Sequence, residues 1–384
     1  MKKAIIIIPT YNERENVSAL IPVLLEIFSS IPNWDMEILV VDDTSPDGTA
    51  EAVEALKKKN KKIHLLVNKE KAGLGSAYLK GMEEAFDRLG ADVVFEMDAD
   101  FSHDPLKVPT FLAEIEKGAD LVVGSRYIKG GSIPSDWGFS RKFLSIVGNL
   151  VNMVVLTNFQ IHDWTTGYRA ITKEVFLAIR GEMDTKQFSG YTFQIGFLHK
   201  TLRKGFRIVE VPIQFIDRKV GQSKLGPDYI KSALQYILVA RAKEIVASHV
   251  FKFGIVGGIG FVINATALGV LSSQRIGFSP GDASAIGAEV AIVSNFMFNN
   301  FWTFSERQVR TPVALIKKFV QFNIASLGAV VIQKVVVGFG THYTSDDLKF
   351  VWFILAVIIG MFVNFVIYSK IIWKKTANEQ VVKQ

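Results

Sequence analysis

The chain of 384 residues contains no cysteine. That removes disulfides, cysteine-ligated zinc, iron–sulfur clusters and thiol catalysis together. Two phosphate-binding signatures are also missing. No Gly-x-Gly-x-x-Gly opens a helix after the first apolar run, and no Gly-x-x-x-x-Gly-Lys-Ser/Thr occurs. A dinucleotide dehydrogenase or P-loop NTPase is therefore disfavoured. Internal repeats and low-complexity tracts are absent. The opening MKKAIIII has five apolar residues before Pro9, too few for a signal-peptide core.

Charge is scarce in one region only. Residues 249–384 hold 12 Lys and Arg against 6 Asp and Glu, leaving 32 and 31 of the chain's 44 and 37 before them. The first part reads as a near-neutral domain, and the basic excess belongs to an apolar tail. Nucleic-acid binding, which concentrates positive charge on a soluble module, is not expected.

In that tail, Phe253–Leu271 and Phe350–Tyr368 carry no charge, Ala283–Phe304 only Glu289, and Phe319–Phe339 only Lys334. Each has the ~20 residues that a bilayer span needs, so four transmembrane helices are expected. Lys and Arg collect before the first span (Arg241, Lys243, Lys252), in the second loop (Arg307, Arg310, Lys317, Lys318) and after the last span. The positive-inside bias then puts both termini and the large N-terminal domain in the cytoplasm. Gly254-x-x-x-Gly258 and Ala265-x-x-x-Gly269 suggest close helix approach. Glu289 and Lys334, at matched depth on neighbouring antiparallel spans, are expected either to pair or to snorkel separately.

In residues 1–248, short β-rich runs (Ala4–Ile8, Glu37–Val41, Ile63–Val67, Val93–Met97, Leu121–Gly124) alternate with helical stretches (Asn16–Phe28, Thr49–Lys58, Gly75–Leu89, Leu106–Lys117). This predicts an α/β fold with a mostly parallel, Rossmann-like sheet. Ligands of such sheets bind beyond the carboxyl ends of the strands. The polar clusters fall there: Pro9–Glu13, Asp42–Gly48, Lys71–Gly75 and Asp98-Ala99-Asp100. Asp98 and Asp100 can reach one Mg2+ or Mn2+ whose other ligands are diphosphate oxygens and water, as in a nucleoside diphosphate sugar. Arg126, Arg141, Lys142, Arg218 and Lys224 offer a second anion site, for an acceptor carrying a phosphate. Two amphipathic segments, around Phe143–Val155 and Tyr229–Val246, fit either core packing or the bilayer surface.

The runs PTYNERENV, DDTSPDGT, AGLGSAY, MDADFSHDP, GSRY, TGYRAITKEV, SGYTFQ and VPIQFIDRKVGQSKL resemble, in order, the family-2 glycosyltransferases of GT-A fold, specifically the dolichyl-phosphate (polyprenol-phosphate) mannose synthase family. FKFGIVGGIGFVIN, SNFMFNNFWTF and NFVIYSK are similar to GtrA-like four-span domains. The expected organisation is a GT-A domain at 1–228, an amphipathic interface helix and linker at 229–248, and a GtrA-like membrane domain at 249–384. The fold class becomes a GT-A domain, two interface helices and a four-helix transmembrane bundle. The resemblance implies that Pro9, Tyr11, Glu13 and Asp42 hold the nucleoside, and that Asp98 and Asp100 carry the metal and donor diphosphate. It further implies that Arg126, Arg141 and Ser145 receive the acceptor phosphate, with Lys224 nearby, and that Arg218 bridges phosphates. Asp100, Arg126 and Arg218 are the expected catalytic set. Relatives with Gln where this chain has Ser102 use it as a metal ligand; His103 or water is the alternative here.

The implied reaction takes mannose from GDP-mannose to dolichyl or polyprenyl phosphate with inversion, using Mg2+ or Mn2+. UDP-glucose is the alternative donor, and Ser189–Gln194 tilts the reading to mannose. A lipid-linked-sugar flippase fused to a transferase is a further alternative. The partners expected are these two substrates, the lipid bilayer, and a second copy through the membrane domain.

Overall fold

The computed structural model describes residues 1–71, 73–183, 188, 191–217, 227–344 and 348–374. Two compact units divide the chain, Met1–Arg241 and Ala242–Gln384.

The first unit opens with β1 (Lys2–Thr10), α1 (Arg14–Phe28), β2 (Trp34–Asp42), α2 (Thr49–Lys57), β3 (Ile63–Val67), α3 (Leu74–Glu83), β4 (Val93–Glu96), α4 (Val108–Glu116) and β5 (Leu121–Ser125). It continues through α5 (Phe139–Val155), β6 (Arg169–Thr172), α6 (Lys173–Ile179), α7 (Tyr191–Arg203), β7 (Ile208–Pro212) and α8 (Pro227–Ala247), the last running past the division between the units. The seven strands lie in the order β3-β2-β1-β4-β6-β5-β7. All pairings are parallel except those of β6, which runs antiparallel to β4 and β5.

β1 shows why this sheet is central. Ala4–Ile8 is an unbroken buried run, as expected of a strand covered on both faces. Successive side chains alternate between faces. Ala4, Ile6 and Ile8 join a core with Leu20 and Leu24 of α1 and Phe111 of α4. Ile5 and Ile7 join the opposite core with Tyr78 of α3, Phe176 of α6 and Phe197 of α7. Burying each such isoleucine contributes roughly 1.5–3 kcal/mol. Close approach of α3 depends on Gly81, where a Cβ would lie 2.7 Å from the Ile7 side chain.

All five expected strands are present, with longer ends for β1 and β2. The expected helix Gly75–Leu89 divides into α3 and a π-helical turn to Arg88, and Leu106–Lys117 begins with a 3-10 turn before α4.

The second unit contains α9 (His249–Leu271), α10 (Pro280–Phe298), α11 (Pro312–Tyr343) and α12 (Lys349–Ile367). Among the described residues, His249–Leu271 and Ile354–Ile372 are long and apolar enough to cross a membrane. The expected small-residue contacts differ from those found. Gly254, Gly258 and Gly269 face open space, whereas a Cβ on Gly260 of α9 would meet the Asn295 side chain of α10 at 2.5 Å. Reciprocally, Gly287 of α10 abuts Asn264 of α9. An amide needs a notch as well as a neighbour, and these two glycines provide the notches. The Lys334 side chain lies outside the described residues, so the Glu289 pairing does too. An aromatic cluster of Phe253, Phe296, Phe304, Phe322, Tyr368 and Trp373 closes one end.

Candidate active site

Three non-glycine residues with left-handed backbone follow the carboxyl ends of β1, β2 and β4: Asn12 (φ 58), Thr44 (φ 58) and Phe101 (φ 60). Threonine and phenylalanine adopt this region at a cost of order 1–3 kcal/mol, which folded proteins concentrate at functional sites. The sheet order also reverses between β1 and β4, the place where open α/β sheets leave a crevice.

The loops after β1 and β2 are knitted together. The backbone N–H of Asn12 donates to Ser45 Oγ (3.0 Å), that of Glu13 to Thr49 Oγ1 (3.1 Å) and that of Arg14 to Asp47 Oδ2 (3.2 Å). Asp42 is fully buried and accepts from Thr10 Oγ1 (2.9 Å), Ser45 N (2.8 Å) and Ser45 Oγ (2.6 Å). Its carboxylate therefore braces this rim from below. Pro9, Tyr11 and Glu13 stay partly accessible. The Lys71 ammonium lies 3.7 Å from the Tyr11 ring centroid, a cation–π contact. Asp43, from the Asp42–Gly48 cluster, and Asn68, which sequence reasoning did not single out, complete the rim. Asn68 Nδ2 donates to Asp43 Oδ1 (2.5 Å), and the Gly73 N–H donates to Asp43 Oδ2 (3.1 Å).

Asp98 and Asp100 are half-buried with the buried Ala99 between them, where the chain leaves β4 and enters a turn. Tyr78 Oη donates to Asp98 Oδ1 (3.3 Å), and the Ser102 N–H donates to Asp100 Oδ1 (3.0 Å). The Asp98 backbone N–H donates to His103 Nδ1 (3.1 Å). This bond fixes Nδ1 as an acceptor. Burial, only partly opposed by Asp98 and Asp100, lowers the His103 pKa and keeps the ring neutral at pH 7. The ring also stacks on Tyr168 (4.9 Å).

The donor chemistry here suits a hard divalent cation. Asp98 and Asp100 supply two half-buried carboxylates two residues apart, and Ser102 Oγ is buried without a hydrogen-bond partner; the described residues gather no group of three or more His, Cys, Asp or Glu. Mg2+ and Mn2+ accept such sparse oxygen ligation, with phosphate and water completing the shell.

Beneath the pair, Glu96 of β4 lies opposite Arg169 of β6 in the antiparallel register, and both are fully buried. Burial, opposed by the Arg169 charge, pushes the Glu96 carboxyl up to about 7. This buried pair was not anticipated. Its only sequence signal is an arginine inside the run GYRAIT.

The cationic side begins at Arg126, after β5. Its guanidinium is buried and held bidentately by Asp163, with Nε to Oδ2 at 2.7 Å and Nη2 to Oδ1 at 2.8 Å. Arg126 lies 5.5 Å from the Phe215 ring. Phe215 in turn stands edge-on to His103 (6.2 Å) and to Trp137 (5.8 Å). Arg141 lies over Trp137, 3.8 Å from the ring centroid, and pairs with Asp217 at 2.8 Å. Ser145 Oγ shares a hydrogen bond with Tyr127 Oη (2.5 Å). The structure thus connects the acidic pair, Arg126 and Arg141 through one aromatic hub, Phe215. Sequence reading overlooked that residue although it lies within VPIQFIDRKV. Arg218 and Lys224 lie outside the described residues, as do Ser189 and Gly190.

The two amphipathic segments divide between the alternatives left open by sequence. On α5, Val151, Met153 and Val155 pack on the core, and Asn149 is buried, accepting the Trp164 N–H at 2.7 Å. Phe139, Phe143, Leu144, Ile146, Leu150 and Val154 are exposed. On α8, Ala233, Tyr236, Ile237 and Ala240 face the core, while Ile230, Leu234 and Leu238 form an exposed i, i+4, i+8 stripe.

A mostly parallel sheet of this order, ending in an acidic pair beside a cationic platform, defines a glycosyltransferase of GT-A fold. Comparison with known proteins agrees. Residues 5–180 match the glycosyl transferase family 2 model, and residues 252–373 match the GtrA/DPMS transmembrane domain. Dolichol-phosphate mannosyltransferase of Pyrococcus furiosus is 33% identical over 97% of this chain and 99% of its own length. Polyprenol monophosphomannose synthase of Mycolicibacterium smegmatis is 39% identical over 61% of this chain and 84% of its own. Undecaprenyl-phosphate mannosyltransferase of Micrococcus luteus is 40% identical over 60% of this chain and 91% of its own. The chain belongs to the dolichyl-phosphate (polyprenol-phosphate) mannose synthase family of family-2 glycosyltransferases, and its C-terminal unit is a GtrA/DPMS transmembrane domain. It is accordingly a membrane-bound glycosyltransferase.

Proposed function

We propose that this enzyme transfers mannose from GDP-mannose to the phosphate of a dolichyl or polyprenyl phosphate, with inversion, giving the β-linked mannosyl phospholipid and GDP. The observation that carries the reading is the run His103–Phe215–Trp137–Arg141, which joins a carboxylate pair to an exposed arginine platform on α5. The outward face of α5 is itself apolar. A face of that kind suits the headgroup region of a bilayer, where the acceptor phosphate resides. The names of the relatives supply mannose and the lipid class.

In this mechanism Pro9, Tyr11 and Glu13 hold the nucleoside over the rim braced by Asp42. Asp98 and Asp100 would hold Mg2+ or Mn2+, which supplies charge neutralisation of the diphosphate leaving group. The acceptor phosphate is already an oxyanion near neutral pH, so no strong general base is required. Its oxygen attacks the anomeric carbon, the bond to GDP breaks, and the electron pair leaves on the diphosphate oxygen. Arg141 and Ser145 orient the phosphate, with Arg218 and Lys224 joining them from the segment that follows Asp217. Arg126, neutralised by Asp163, contributes oriented N–H groups more than net charge. Catalysis is mostly alignment and electrostatics.

The proposed organisation keeps the catalytic domain at 1–228, the interface helix at 229–248 and four spans within 249–384, with the catalytic domain and both termini cytoplasmic. Incubating the full chain in micelles with polyprenyl phosphate and either radiolabelled GDP-mannose or UDP-glucose tests the donor. Label should enter the lipid phase from GDP-mannose; entry from UDP-glucose alone would replace the donor assignment.

A further inference from the structure

The Arg141 fork of α5, which the proposed reaction assigns to the acceptor phosphate, already holds a carboxylate from the segment after β7. Arg141 Nη1 donates to Asp217 Oδ2 (2.8 Å) and Nη2 to Oδ1 (3.3 Å). Trp137 Nε1 donates to the same Oδ2 (3.1 Å). The guanidinium rests 3.8 Å from the Trp137 ring centroid. Trp137 is buried, while the side chains of Arg141 and Asp217 are 47% and 31% exposed. A fixed aromatic platform thus carries a cation, and three N–H donors converge on one two-oxygen anion.

A phosphate presents the same pair of oxygens to the arginine fork, with more charge behind them. We infer that Asp217 is an internal stand-in for the acceptor phosphate. It is a positioning residue that keeps Arg141 laid on Trp137 until the phosphate takes its place. Trp137 then gives its indole N–H to the phosphate as a further acceptor-site donor. Exchange is feasible because exposed ion pairs are individually weak and readily displaced. The buried Trp137 ring holds the guanidinium in place while its anionic partner changes.

The exchange has a consequence for the donor side. Asp217 lies two residues beyond Phe215, whose ring touches the surroundings of both His103 and Arg126. Departure of the carboxylate frees the Phe215–Asp217 segment from its tie to α5. Arrival of the acceptor is thereby linked to the packing beside the acidic pair. This inference rests on the proposed reading of the acceptor as a phosphate-bearing lipid.

The test uses the full chain in detergent micelles. Inorganic phosphate is titrated against tryptophan fluorescence, with Trp137→Phe identifying the responding signal. Asp217→Asn should bind phosphate about two- to fivefold more tightly than wild type, the scale of one exposed ion pair, and Asp217→Glu should stay near wild type. With polyprenyl phosphate, the acceptor KM of Asp217→Asn should fall by a similar factor while kcat changes less than about twofold. Equal phosphate affinity in wild type and Asp217→Asn overturns the inference. So does a raised acceptor KM, the mark of a carboxylate that merely braces Arg141. Phosphate binding in the expected pattern by a protein that moves no sugar to lipid supports the exchange and removes the proposed reaction instead.

Discussion

Asp163 grips Arg126 through three hydrogen bonds: Nε and Nη2 of the guanidinium at 2.7 and 2.8 Å, and the Arg126 backbone N–H at 3.0 Å. Burial alone would raise the Asp163 carboxyl, but the Arg126 charge and these bonds outweigh it and hold the pKa below its ordinary 3.8. Asp163→Ala should cost about 3–5 kcal/mol, because it strands a buried guanidinium. The sign of the pH dependence follows. With a folded value below the unfolded one, the stabilisation is complete above pH 3.8 and fades as pH falls through the lower folded value. Thermal melts of wild type and Asp163→Asn should therefore differ widely at pH 7 and draw together as the pH is lowered below 3.8. A constant gap across that range would contradict the ionic role.

Gly131 packs against the backbone that sets Arg126. A Cβ there would lie 2.5 Å from the Ser125 carbonyl oxygen and 2.9 Å from the Arg126 carbonyl carbon. Backbone cannot swing aside as a side-chain tip can. Gly131→Ala should cost roughly 1–3 kcal/mol and slow transfer by shifting Arg126. Gly138→Ala, with open space at its Cβ, should show only the cost of a poorer N-cap for α5, about 0.5–1 kcal/mol, and leave the transfer rate near wild type. Melting curves and initial rates of the two variants decide the point.

Much of this arrangement could be read from residue order, and the omissions have physical causes. Ala4–Ile8 and Leu121–Gly124 declared themselves because unbroken apolar runs bounded by polar turns have few other readings. β6 did not, since Arg169-Ala170-Ile171-Thr172 places an arginine in a four-residue strand. The carbonyl oxygens of Gln194 (2.9 Å) and Trp164 (3.4 Å) accept from its guanidinium, and the charge of the cross-strand Glu96 adds to them, which makes that burial tolerable. The place of Asp98 and Asp100 just beyond a strand was legible too. Phe215 and Trp137 were not, because an aromatic residue in a loop looks the same whether it packs in a core or carries an arginine. The Gly260–Asn295 contact was likewise hidden. Gly254-x-x-x-Gly258 fits a spacing rule better, and which face of α9 meets α10 is a tertiary matter.

In the membrane unit, Asn300 ties the chain that follows α10. Its Nδ2 donates to Val309 O (3.0 Å), and its Oδ1 accepts from Val309 N (3.0 Å) and Trp373 Nε1 (3.1 Å). The side chain is fully buried. Asn300→Ala leaves the buried Trp373 indole N–H unpaired, at about 1–3 kcal/mol, together with the part-buried N–H and C=O of Val309. Detergent-solubilised Asn300→Ala should lose its melting transition or show it markedly lowered, whereas an unchanged transition would rule out the clamp.

The exposed face of α5 is testable without disturbing the core. Phe139, Phe143 and Leu150 are 83%, 52% and 52% exposed. Replacing all three with serine should leave the melting temperature of the protein near wild type. It should raise the KM for a long polyprenyl phosphate in vesicles by about tenfold or more, given roughly 1.5–3 kcal/mol for each large apolar side chain that leaves an apolar phase. A short, water-soluble acceptor should be affected little. Equal effects on both acceptors would show that α5 does not meet the bilayer.

The proposed sugar transfer depends on the acidic pair, and Asp100→Ala addresses it most directly. The measurement is the initial rate of mannose transfer from GDP-mannose to polyprenyl phosphate with Mn2+ present, set beside the melting curve of the same preparation. The expected result is a fall of at least about 10²- to 10³-fold, as when one electrostatic group of a transition state is removed, with the melting curve retained. A well-folded Asp100→Ala protein that still transfers mannose at a rate near wild type would contradict the assignment.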